Sequence, residues 1–259
     1  MKLDVANLSY AYHGHAVLAG VDFSADGGQC VCVLGENGAG KTTLFRCLLR
    51  LLGDYRGDVL LDGADSRQFS ARQLARKISY VPQAYVPTFD YSVFDTVLMG
   101  TSVVANGFRT PGRGQNRLAG EMLELLGISA LADRGFAELS GGERQLVLVA
   151  RALAQQSPVI VMDEPTANLD YGNQFRVMAQ VKRLAGQGYL VVMSTHNPEL
   201  ALLYADEVVV LRDGKADLCG EPGTVLTPDA IEAIYGVGAE LHDVSTSWGH
   251  VPVLVPRVG

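Results

Sequence analysis

A run of eight residues carries the clearest pattern for binding a phosphate. It fits the spacing G-x-x-x-x-G-K-[ST], in which glycines let successive backbone N–H groups turn toward phosphate oxygens. The lysine supplies positive charge for the β- and γ-phosphates, and the final hydroxyl can ligate Mg²⁺. A glycine-rich turn that binds nothing is the alternative. With the adjacent Thr43, the predicted nucleotide-binding residues are Gly35, Glu36, Asn37, Gly38, Ala39, Gly40, Lys41 and Thr42.

Two adjacent acids follow an apolar segment in the second half of the chain. Asp163 and Glu164 come directly after Val159–Met162, which predicts a buried strand. A buried strand does not end in paired acids for stability alone. We therefore predict that Asp163 helps Thr42 to hold Mg²⁺ and that Glu164 polarises an attacking water. Taken alone, the two acids would be interpreted as a solvated strand end.

Gln83 and His196 follow two further predicted strands, at residues 78–81 and 189–194. Ligands of open parallel sheets bind at the carboxyl ends of the strands. There the Gln83 carbonyl could reach a metal or a water, and His196 could donate to a γ-phosphate. The sequence therefore adds Gln83 to the predicted metal ligands and His196 to the predicted catalytic residues, although this glutamine alone would be unremarkable.

A helix start that contains two glycines lies between these strands. Ser140 and Glu143 have the spacing of a capping box, which by itself would contribute about 1 kcal/mol. Gly141 and Gly142 are poor helix formers at this position. We expect them where something must approach the backbone closely, such as an anion at the helix N-terminus.

Tyr12 lies within a polar and aromatic segment, residues 9–15, that predicts a turn between two strands. A ring held near the glycine loop (residues 35–42) could stack on a nucleotide base. An ordinary half-buried tyrosine in a sheet fits the spacing equally well. The residues themselves leave these two alternatives open.

The composition favours a cytosolic protein with a sizeable core. The chain has 259 residues, 48% of them hydrophobic, and a formal net charge of -7 with no basic run. This charge argues against a surface that binds nucleic acid. No apolar run is long enough to cross a bilayer, and residues 1–4 lead into a strand pattern rather than a signal sequence. The four cysteines are interpreted as small buried residues in a reducing compartment.

The predicted site residues lie between alternating strands and helices. Residues 88–155 show little strand pattern, so we predict a helical insertion there, with a flexible link at residues 106–114. The predicted fold class is therefore α/β, with a mixed sheet in a P-loop NTPase core, an N-terminal antiparallel β subdomain and a helical insertion subdomain. Further strands are predicted at residues 3–8, 16–24, 31–34, 58–61 and 208–211, and helices at residues 43–49, 70–76, 92–99, 116–126, 171–185 and 228–235.

Taken in order, these patterns resemble the motifs of ATP-binding-cassette ATPases over residues 1 to about 235. The discriminating element is the signature Leu-Ser-Gly-Gly-x-x-Gln, which other P-loop enzymes lack. Gln83 and His196 match the Q-loop and H-loop of the family, and Tyr12 stands where its base-stacking aromatic stands. Asn168 and Asp170 match the D-loop, although Asn168 replaces a residue that is often smaller and Glu143 replaces a common glutamine. The signature residues are Leu139, Ser140, Gly141, Gly142, Glu143 and Gln145.

The resemblance implies an ATPase that uses ATP and Mg²⁺. Two copies would pair head to tail, so that ATP is held between Lys41 of one copy and the signature residues of the other. Glu164 would act as general base, which is worth about 10²–10⁴ in rate. Asn168 and Asp170 would communicate across the pair. The ATPase domain would span residues 1–236, with its helical subdomain at about 88–155 and a tail of unassigned role at 237–259.

Within the family, residues 81–83, 91–100 and 170–174 resemble the subunits that power import of metal chelates. Their cargoes are iron-siderophore complexes, haem, cobalamin or molybdate. The resemblance implies a cytoplasmic protein, peripheral on the inner face of the cell membrane. Its partners would be integral membrane permease subunits and, indirectly, a substrate-binding protein. Residues 87–99 are the predicted docking surface for the permease, and a plain core helix is the alternative.

Two other classes of protein share parts of this pattern. Soluble cassette ATPases in translation or DNA repair usually carry two cassettes or long coiled-coil insertions, whereas this chain has one copy of each motif. A non-catalytic nucleotide sensor would tend to have lost Glu164 or His196. We therefore expect an ATPase subunit of a transporter, with no nucleic-acid partner.

Overall fold

The fold combines three sheets with helices on both faces of the largest one. The computed structural model describes residues 1–85, 89–103, 110–247 and 249–257. The strands in these ranges are β1 (Lys2–Tyr12), β2 (His15–Asp26), β3 (Cys30–Leu34), β4 (Arg56–Leu61), β5 (Ala64–Asp65), β6 (Ile78–Val81), β7 (Val159–Met162), β8 (Leu190–Thr195), β9 (Glu207–Arg212), β10 (Lys215–Gly220), β11 (Ala239–Thr246) and β12 (Gly249–Pro256).

The helices follow the strands in the alternation that the sequence predicts. Those in the described ranges are α1 (Lys41–Leu48), α2 (Ala71–Ala75), α3 (Val93–Gly100), α4 (Arg113–Leu125), α5 (Gly141–Leu153), α6 (Tyr171–Gly186), α7 (Pro198–Tyr204), α8 (Pro222–Val225) and α9 (Pro228–Tyr235).

The central sheet has the order β10-β9-β3-β8-β7-β6. It is mixed, as predicted, because β10 runs antiparallel to β9 while the other neighbours run parallel. Both faces are covered, so every residue of β3 is buried. The register pairs Leu34 with Thr195 and Met162 with both Val81 and Met193. The carboxyl ends of these strands are therefore aligned. The segments that carry the predicted site residues begin there, side by side.

The N-terminal sheet is antiparallel, with the order β2-β1-β4-β5. Leu3, Val5 and Leu8 of β1 are buried and belong to one apolar core with Phe45 of α1 and Val33 of β3. The sheet therefore covers the helix that follows the glycine loop. The predicted N-terminal antiparallel subdomain is confirmed.

The first hairpin differs from the prediction. Residues 9–12 continue β1 instead of forming a turn, because Tyr10 pairs with Leu18 of β2. The turn consists of His13 and Gly14, with φ angles of 48° and 88°. Two consecutive positive φ angles suit a tight hairpin whose twist matches its strands. The prediction was wrong because polar and aromatic residues suggested a turn where cross-strand pairing keeps the chain extended.

Helices α3, α4 and α5 pack against one another between β6 and β7 and form the predicted helical insertion. The predicted flexible link at residues 106–114 lies partly outside the described residues. Its last two residues are helical, because α4 begins at Arg113. The Gln115 side chain closes the first turn by accepting a hydrogen bond from the Gly112 N–H at 2.7 Å. For these two residues the prediction was wrong.

The C-terminal strands form a separate hairpin, in which Leu241 pairs with Leu254 and Ala239 with Pro256. Ala239 and Leu254 are buried in the larger core beside α7 and α9. One face of this hairpin therefore packs on the rest of the chain.

The cysteines divide into two groups. Cys30, Cys32 and Cys47 are buried, as predicted, whereas Cys219 is exposed. The prediction was wrong for Cys219 because β10 is the edge strand of the central sheet and most of its residues face solvent.

Candidate functional site

The glycine loop connects β3 to α1. A Cβ on Gly35 would lie 2.4 Å from the Leu211 carbonyl oxygen, so no larger residue fits there. Gly40 is the N-cap of α1 with a φ of 103°, and no side chain caps this helix. The first N–H groups of α1 therefore remain available to an anion.

Lys41 of the loop is buried, with 5% of its side chain exposed. Its Nζ donates to the Gly35 carbonyl at 2.8 Å and to the Glu36 carbonyl at 3.1 Å. Oε1 of Glu164 lies 3.3 Å away. A bound phosphate would offer Lys41 a stronger, charge-assisted partner than the two carbonyls.

Asp163 is buried at the end of β7 and is held by two neighbouring strands. Ser194 Oγ donates to its Oδ1 at 2.7 Å, and the Tyr80 hydroxyl lies 3.4 Å from its Oδ2. Burial and then the Asp163 charge raise the pKa of Tyr80 to about 12, so this hydroxyl keeps its proton and donates it. These contacts fix the orientation of the carboxylate, as outer contacts do around metal ligands.

Glu164 has an unusual backbone, with a φ of 44° in the left-handed region. Its N–H donates to Ser194 Oγ at 2.8 Å, so one serine holds both acids. Oε2 of Glu164 accepts a hydrogen bond from Gln83 Nε2 at 3.1 Å and lies 3.4 Å from His196 Nδ1. Backbone strain of this kind costs about 1–3 kcal/mol and persists where the surroundings over-determine it, commonly at functional sites.

Glu164 and the two side chains beside its Oε2 line one cavity of about 320 Å³. Asn37 of the glycine loop lines it together with Gln83, Glu164, Asn168 and His196. The Glu164 carboxylate, the His196 imidazole and the side-chain amides of asparagine and glutamine residues thus surround a space that the glycine loop also lines. This arrangement can hold a polar ligand and exchange a proton with it.

The signature residues begin α5, and among the described residues none of them lines that cavity. The Ser140 hydroxyl and backbone N–H donate to Glu143 Oε2 at 2.7 and 2.8 Å, which completes the predicted capping box. Ser140 and the Arg134 charge keep the pKa of Glu143 below its usual range. Leu139 and Gln145 are buried.

The two signature glycines have different surroundings. A Cβ on Gly142 would lie 2.5 Å from the Asn173 side chain of α6, so packing inside the chain already requires glycine there. The expected close approach of an anion is therefore not needed to explain Gly142. Ser140 and Gly141 are exposed and remain accessible to a second molecule.

The predicted D-loop residues lie between β7 and α6. Asn168 has a φ of 62°, a conformation that asparagine tolerates better than most residues. This explains an asparagine where a smaller residue is common. The Asp170 carboxylate caps α6 by accepting the Asn173 N–H at 2.9 Å.

Tyr12 ends β1 and is half-buried, with its ring 4.9 Å from that of Tyr10 in an edge-on contact. The same hairpin reaches the glycine loop, because the Val17 carbonyl lies 3.1 Å from the position of a Cβ on Gly40. Tyr12 is thus carried by an element that touches the loop.

The chain was then compared with known protein families. The family model described as ABC transporter matches residues 18–167, which is more than half of the chain. The chain belongs to the ABC transporter family. ATP-binding subunits of this family hydrolyse ATP to drive transport, so the predicted nucleotide binding and ATPase activity are confirmed at the level of the family.

Individual ABC transporter subunits match almost the full chain. An uncharacterised ATP-binding protein of Haemophilus influenzae is 40% identical over 241 residues, which is 93% of this chain and 92% of that protein. The hemin import ATP-binding protein of Bordetella pertussis is 36% identical over 265 residues, covering 98% and 99%. A chain from an inward-facing structure assigned to the metal-chelate type of ABC transporter superposes with a TM-score of 0.87, at 32% identity, covering 99% and 97%.

These relatives favour the transporter subunit over a soluble ABC protein of translation or DNA repair. Within the described residues, no helix of this ABC subunit has the length and apolarity to span a bilayer.

The ABC site has the chemistry that Mg²⁺ prefers, which is a set of oxygen donors. Asp163 is a buried carboxylate that its neighbours already orient, and Thr42 is only half-buried. Gln83 uses its Nε2 toward Glu164, which leaves Oε1 for a cation or its water. These residues therefore fit the ion, which would neutralise phosphate charge when bound.

Sequence reasoning missed Ser194 and Tyr80, which hold the two acids from the adjacent strands. Both lie within buried apolar strands, where a polar residue could have drawn attention. Nothing in a single strand shows that Ser194 lies opposite Asp163. That follows only from the register of β7 and β8.

Proposed function

We propose that this ABC transporter subunit hydrolyses ATP beside Glu164 to drive the import of a metal chelate. The observation that carries this proposal is the convergence of Lys41, Gln83 and His196 on the Glu164 carboxylate. Lys41 would bind phosphate, Gln83 a cation or its water, and His196 the γ-phosphate. All three lie against the proposed base. Such a constellation suits hydrolysis better than binding alone.

In the proposed reaction, Lys41 and the N–H groups of the glycine loop bind the β- and γ-phosphates, and Tyr12 stacks on the base. A water attacks the γ-phosphorus, and the bond to the β-phosphate oxygen breaks to give ADP and phosphate. Glu164 accepts the proton of this water. His196 donates to the γ-phosphate. Thr42, Gln83 and Asp163 would hold Mg²⁺, which would neutralise phosphate charge.

We further propose that two copies assemble head to tail. Exposed Ser140 and Gly141 at the start of α5 give one copy a phosphate-binding surface that its own cavity does not use. Asn168 lines the cavity and belongs to the same D-loop as Asp170, so it is positioned to respond to the partner's nucleotide. ATP bound between the copies would join them, and hydrolysis would separate them.

A permease would dock on the exposed apolar residues beside the Q-loop. Residues 87–88 of the predicted surface lie outside the described residues, but Phe89 is 66% exposed and Met99 is 39% exposed. Elsewhere on the chain, a groove of about 490 Å³ is lined by Leu51, also 66% exposed, and by Tyr80 of the strand that leads to Gln83. Exposed large apolar side chains such as Phe89 suit contact with another protein. Docking there would hold this subunit on the inner face of the cell membrane.

The cargo class is inferred from the relatives. One is named for hemin import, and the superposed structure is of the metal-chelate type. No residue of the ATPase would touch the cargo, so the transported chelate is a property of the permease.

Capture of the partner tests the assignment. Glu164→Gln keeps the shape of the side chain and is expected to bind Mg-ATP without turning it over. Trapped with Mg-ATP and isolated from an extract of the source cells, it should retain an integral membrane protein, whereas the same variant carrying Phe89→Asp on the proposed docking surface should not. Recovery of ribosomes or DNA without a membrane protein would contradict the proposal.

The cargo is tested in proteoliposomes that contain the captured complex. Transport of hemin, cyanocobalamin or a ferric siderophore should depend on ATP and stop in the Glu164→Gln complex. Transport limited to a substrate that is not a metal chelate would overturn the cargo class but leave the ATPase assignment intact.

A further inference from the structure

Arg151 of α5 is a largely enclosed cation with an uncommon partner. Its guanidinium lies over the ring of Tyr85, with Cζ 4.5 Å from the ring centroid. Within the described ranges, no carboxylate lies within ion-pair distance of Arg151. Burial lowers the pKa of Arg151, and Tyr85 opposes that shift. A buried charge needs compensation, and an aromatic face can supply it.

Tyr85 also contacts the segment that leads into the signature. Its ring meets Phe136 edge to face, with centroids 5.5 Å apart and planes at 89°. Phe136 is buried and lies three residues before Leu139, the first signature residue. Tyr85 therefore packs both on α5 and on the segment just before it.

The position of Tyr85 in the chain links this contact to the cavity. Tyr85 lies two residues after Gln83, which donates to Glu164. Two residues span about 7 Å at most, so a shift of Tyr85 reaches Gln83 with little slack. One aromatic ring thus connects the last turn of α5, and the segment that leads into the signature, with the residue that contacts the proposed base.

Helix α3 meets α5 at the same residue. A Cβ on Gly100, the last residue of α3, would lie 2.1 Å from the Arg151 carbonyl oxygen. The two backbones are therefore in direct contact at Arg151. Met99, next to Gly100, belongs to the proposed docking surface. Arg151 is consequently the point where α3, α5 and the segment after Gln83 meet.

We propose that Tyr85 is a positioning residue, which fixes Gln83 relative to α5 by packing against both Arg151 and Phe136. The ring makes the hydrogen bond from Gln83 to Glu164 depend on the position of the signature helix. When α5 engages a nucleotide of the partner copy, Gln83 is set in the geometry that holds Glu164 for proton transfer. Tyr85 touches no reacting atom and acts through Gln83 alone.

This role predicts a specific split between binding and turnover. ADP is held by the glycine loop, which Tyr85 does not contact, so the Kd for ADP should stay within about twofold of the original in Tyr85→Ala. The kcat for ATP should fall about tenfold or more, in line with the loss of a desolvated cation–π contact. Tyr85→Phe keeps the ring and should retain kcat within about threefold. Arg117→Met, on the exposed face of α4, serves as the control for loss of an arginine.

The double variant Tyr85→Ala with Arg151→Met tests whether the two side chains act through one contact. If they do, its kcat should be no lower than that of Tyr85→Ala, since coupled residues are not additive. Its melting temperature should exceed that of Tyr85→Ala, because the single variant leaves a guanidinium without a partner. Phe, Ala and double variants are compared as purified full-length chains and in the complex with the permease.

Three outcomes would overturn the proposal. They are an unchanged kcat in Tyr85→Ala, a loss of ADP affinity that parallels the loss of kcat, and a kcat of the double variant that lies below that of Tyr85→Ala. The proposal rests on hydrolysis at Glu164, and the two can fail separately. Full activity of Glu164→Gln would refute the site of hydrolysis. An unchanged kcat in Tyr85→Ala, together with an inactive Glu164→Gln, would refute only the role of Tyr85.

Discussion

Lys41 and Glu164 face each other across the candidate site, with Nζ 3.3 Å from Oε1 and only 5% and 11% of the two side chains exposed. One belongs to the loop that binds phosphates and the other to the segment proposed to activate water. A γ-phosphate competes with the carboxylate for the same ammonium group. We therefore expect nucleotide binding to release Glu164 from Lys41, so that the base becomes available only when a phosphate is in place.

Ser194 should be essential although it touches no substrate in the proposed mechanism. Ser194→Ala removes the hydroxyl that donates to Asp163 and accepts the Glu164 N–H. Leaving these buried groups unpaired should lower the free energy of unfolding by about 1–3 kcal/mol. We expect kcat to fall at least tenfold and the Mg²⁺ requirement to rise, measured by steady-state hydrolysis at varied Mg²⁺.

Ser79→Ala is the matched control for Ser194→Ala. Ser79 is equally buried in β6, but its hydroxyl contacts the Val159 carbonyl at 3.4 Å, away from the acids. It should lose some stability and keep its Mg²⁺ dependence. Equal kinetic effects in the two variants would show that Ser194 has no special role.

Gly142 should not tolerate a side chain. The Cβ of Gly142→Ala would meet the Asn173 side chain at 2.5 Å, and overpacking of this kind costs about 1–3 kcal/mol. In Gly120→Ala, on α4, the new Cβ meets open space, so this variant should be stabilised by up to about 1 kcal/mol. Urea unfolding of both variants measures the difference. A neutral Gly142→Ala would mean that Asn173 moves aside, and that packing does not require this glycine.

Glu143 should make the start of α5 sensitive to acid. Hydrogen bonds from Ser140 lower its pKa in the folded chain, so the stability it contributes is present above the unfolded pKa and is lost as the pH falls through the folded value. Glu143→Gln removes this charge. The difference in unfolding midpoint between the two proteins should therefore be constant near neutrality and shrink below about pH 4.3. A difference that grows toward acid would contradict the sign.

Tyr12 should contribute to nucleotide affinity through its ring. Tyr12→Ala is expected to weaken ADP binding about tenfold, and Tyr12→Phe to leave it nearly unchanged, since stacking needs the ring and not the hydroxyl. Tyr91→Ala, another partly exposed tyrosine, controls for general effects. Equal affinity in all three variants would leave Tyr12 as an ordinary residue of the sheet.

Local patterns in the sequence were sufficient to predict much of this molecule. Three features can be identified from a few consecutive residues, because they depend on neighbours along the chain. They are the glycine loop, the acids after β7 and the capping box of Ser140. The convergence of the glycine loop and the acids with Gln83 and His196 was predicted from one general rule, that ligands bind at the carboxyl ends of parallel strands.

Other features depend on register and packing, which no local pattern contains. Ser194 holds both acids only because β8 lies beside β7. The Asn173 side chain, on another helix, leaves no room for a Cβ on Gly142. This contact is not visible in the local sequence, which suggested the approach of an anion as the reason for the glycine. The contact of Arg151 with Tyr85 joins residues far apart in the chain and was not predicted.

Single-turnover hydrolysis with Glu164→Gln tests the central claim most directly. Purified wild type and variant are mixed with a limiting amount of Mg-ATP, and released phosphate is followed together with binding of the nucleotide. The account predicts normal or tighter nucleotide binding, since Lys41 loses its competing carboxylate, and hydrolysis slower by about 10²–10⁴. Hydrolysis at the wild-type rate with intact binding would contradict the assignment of Glu164 as the base.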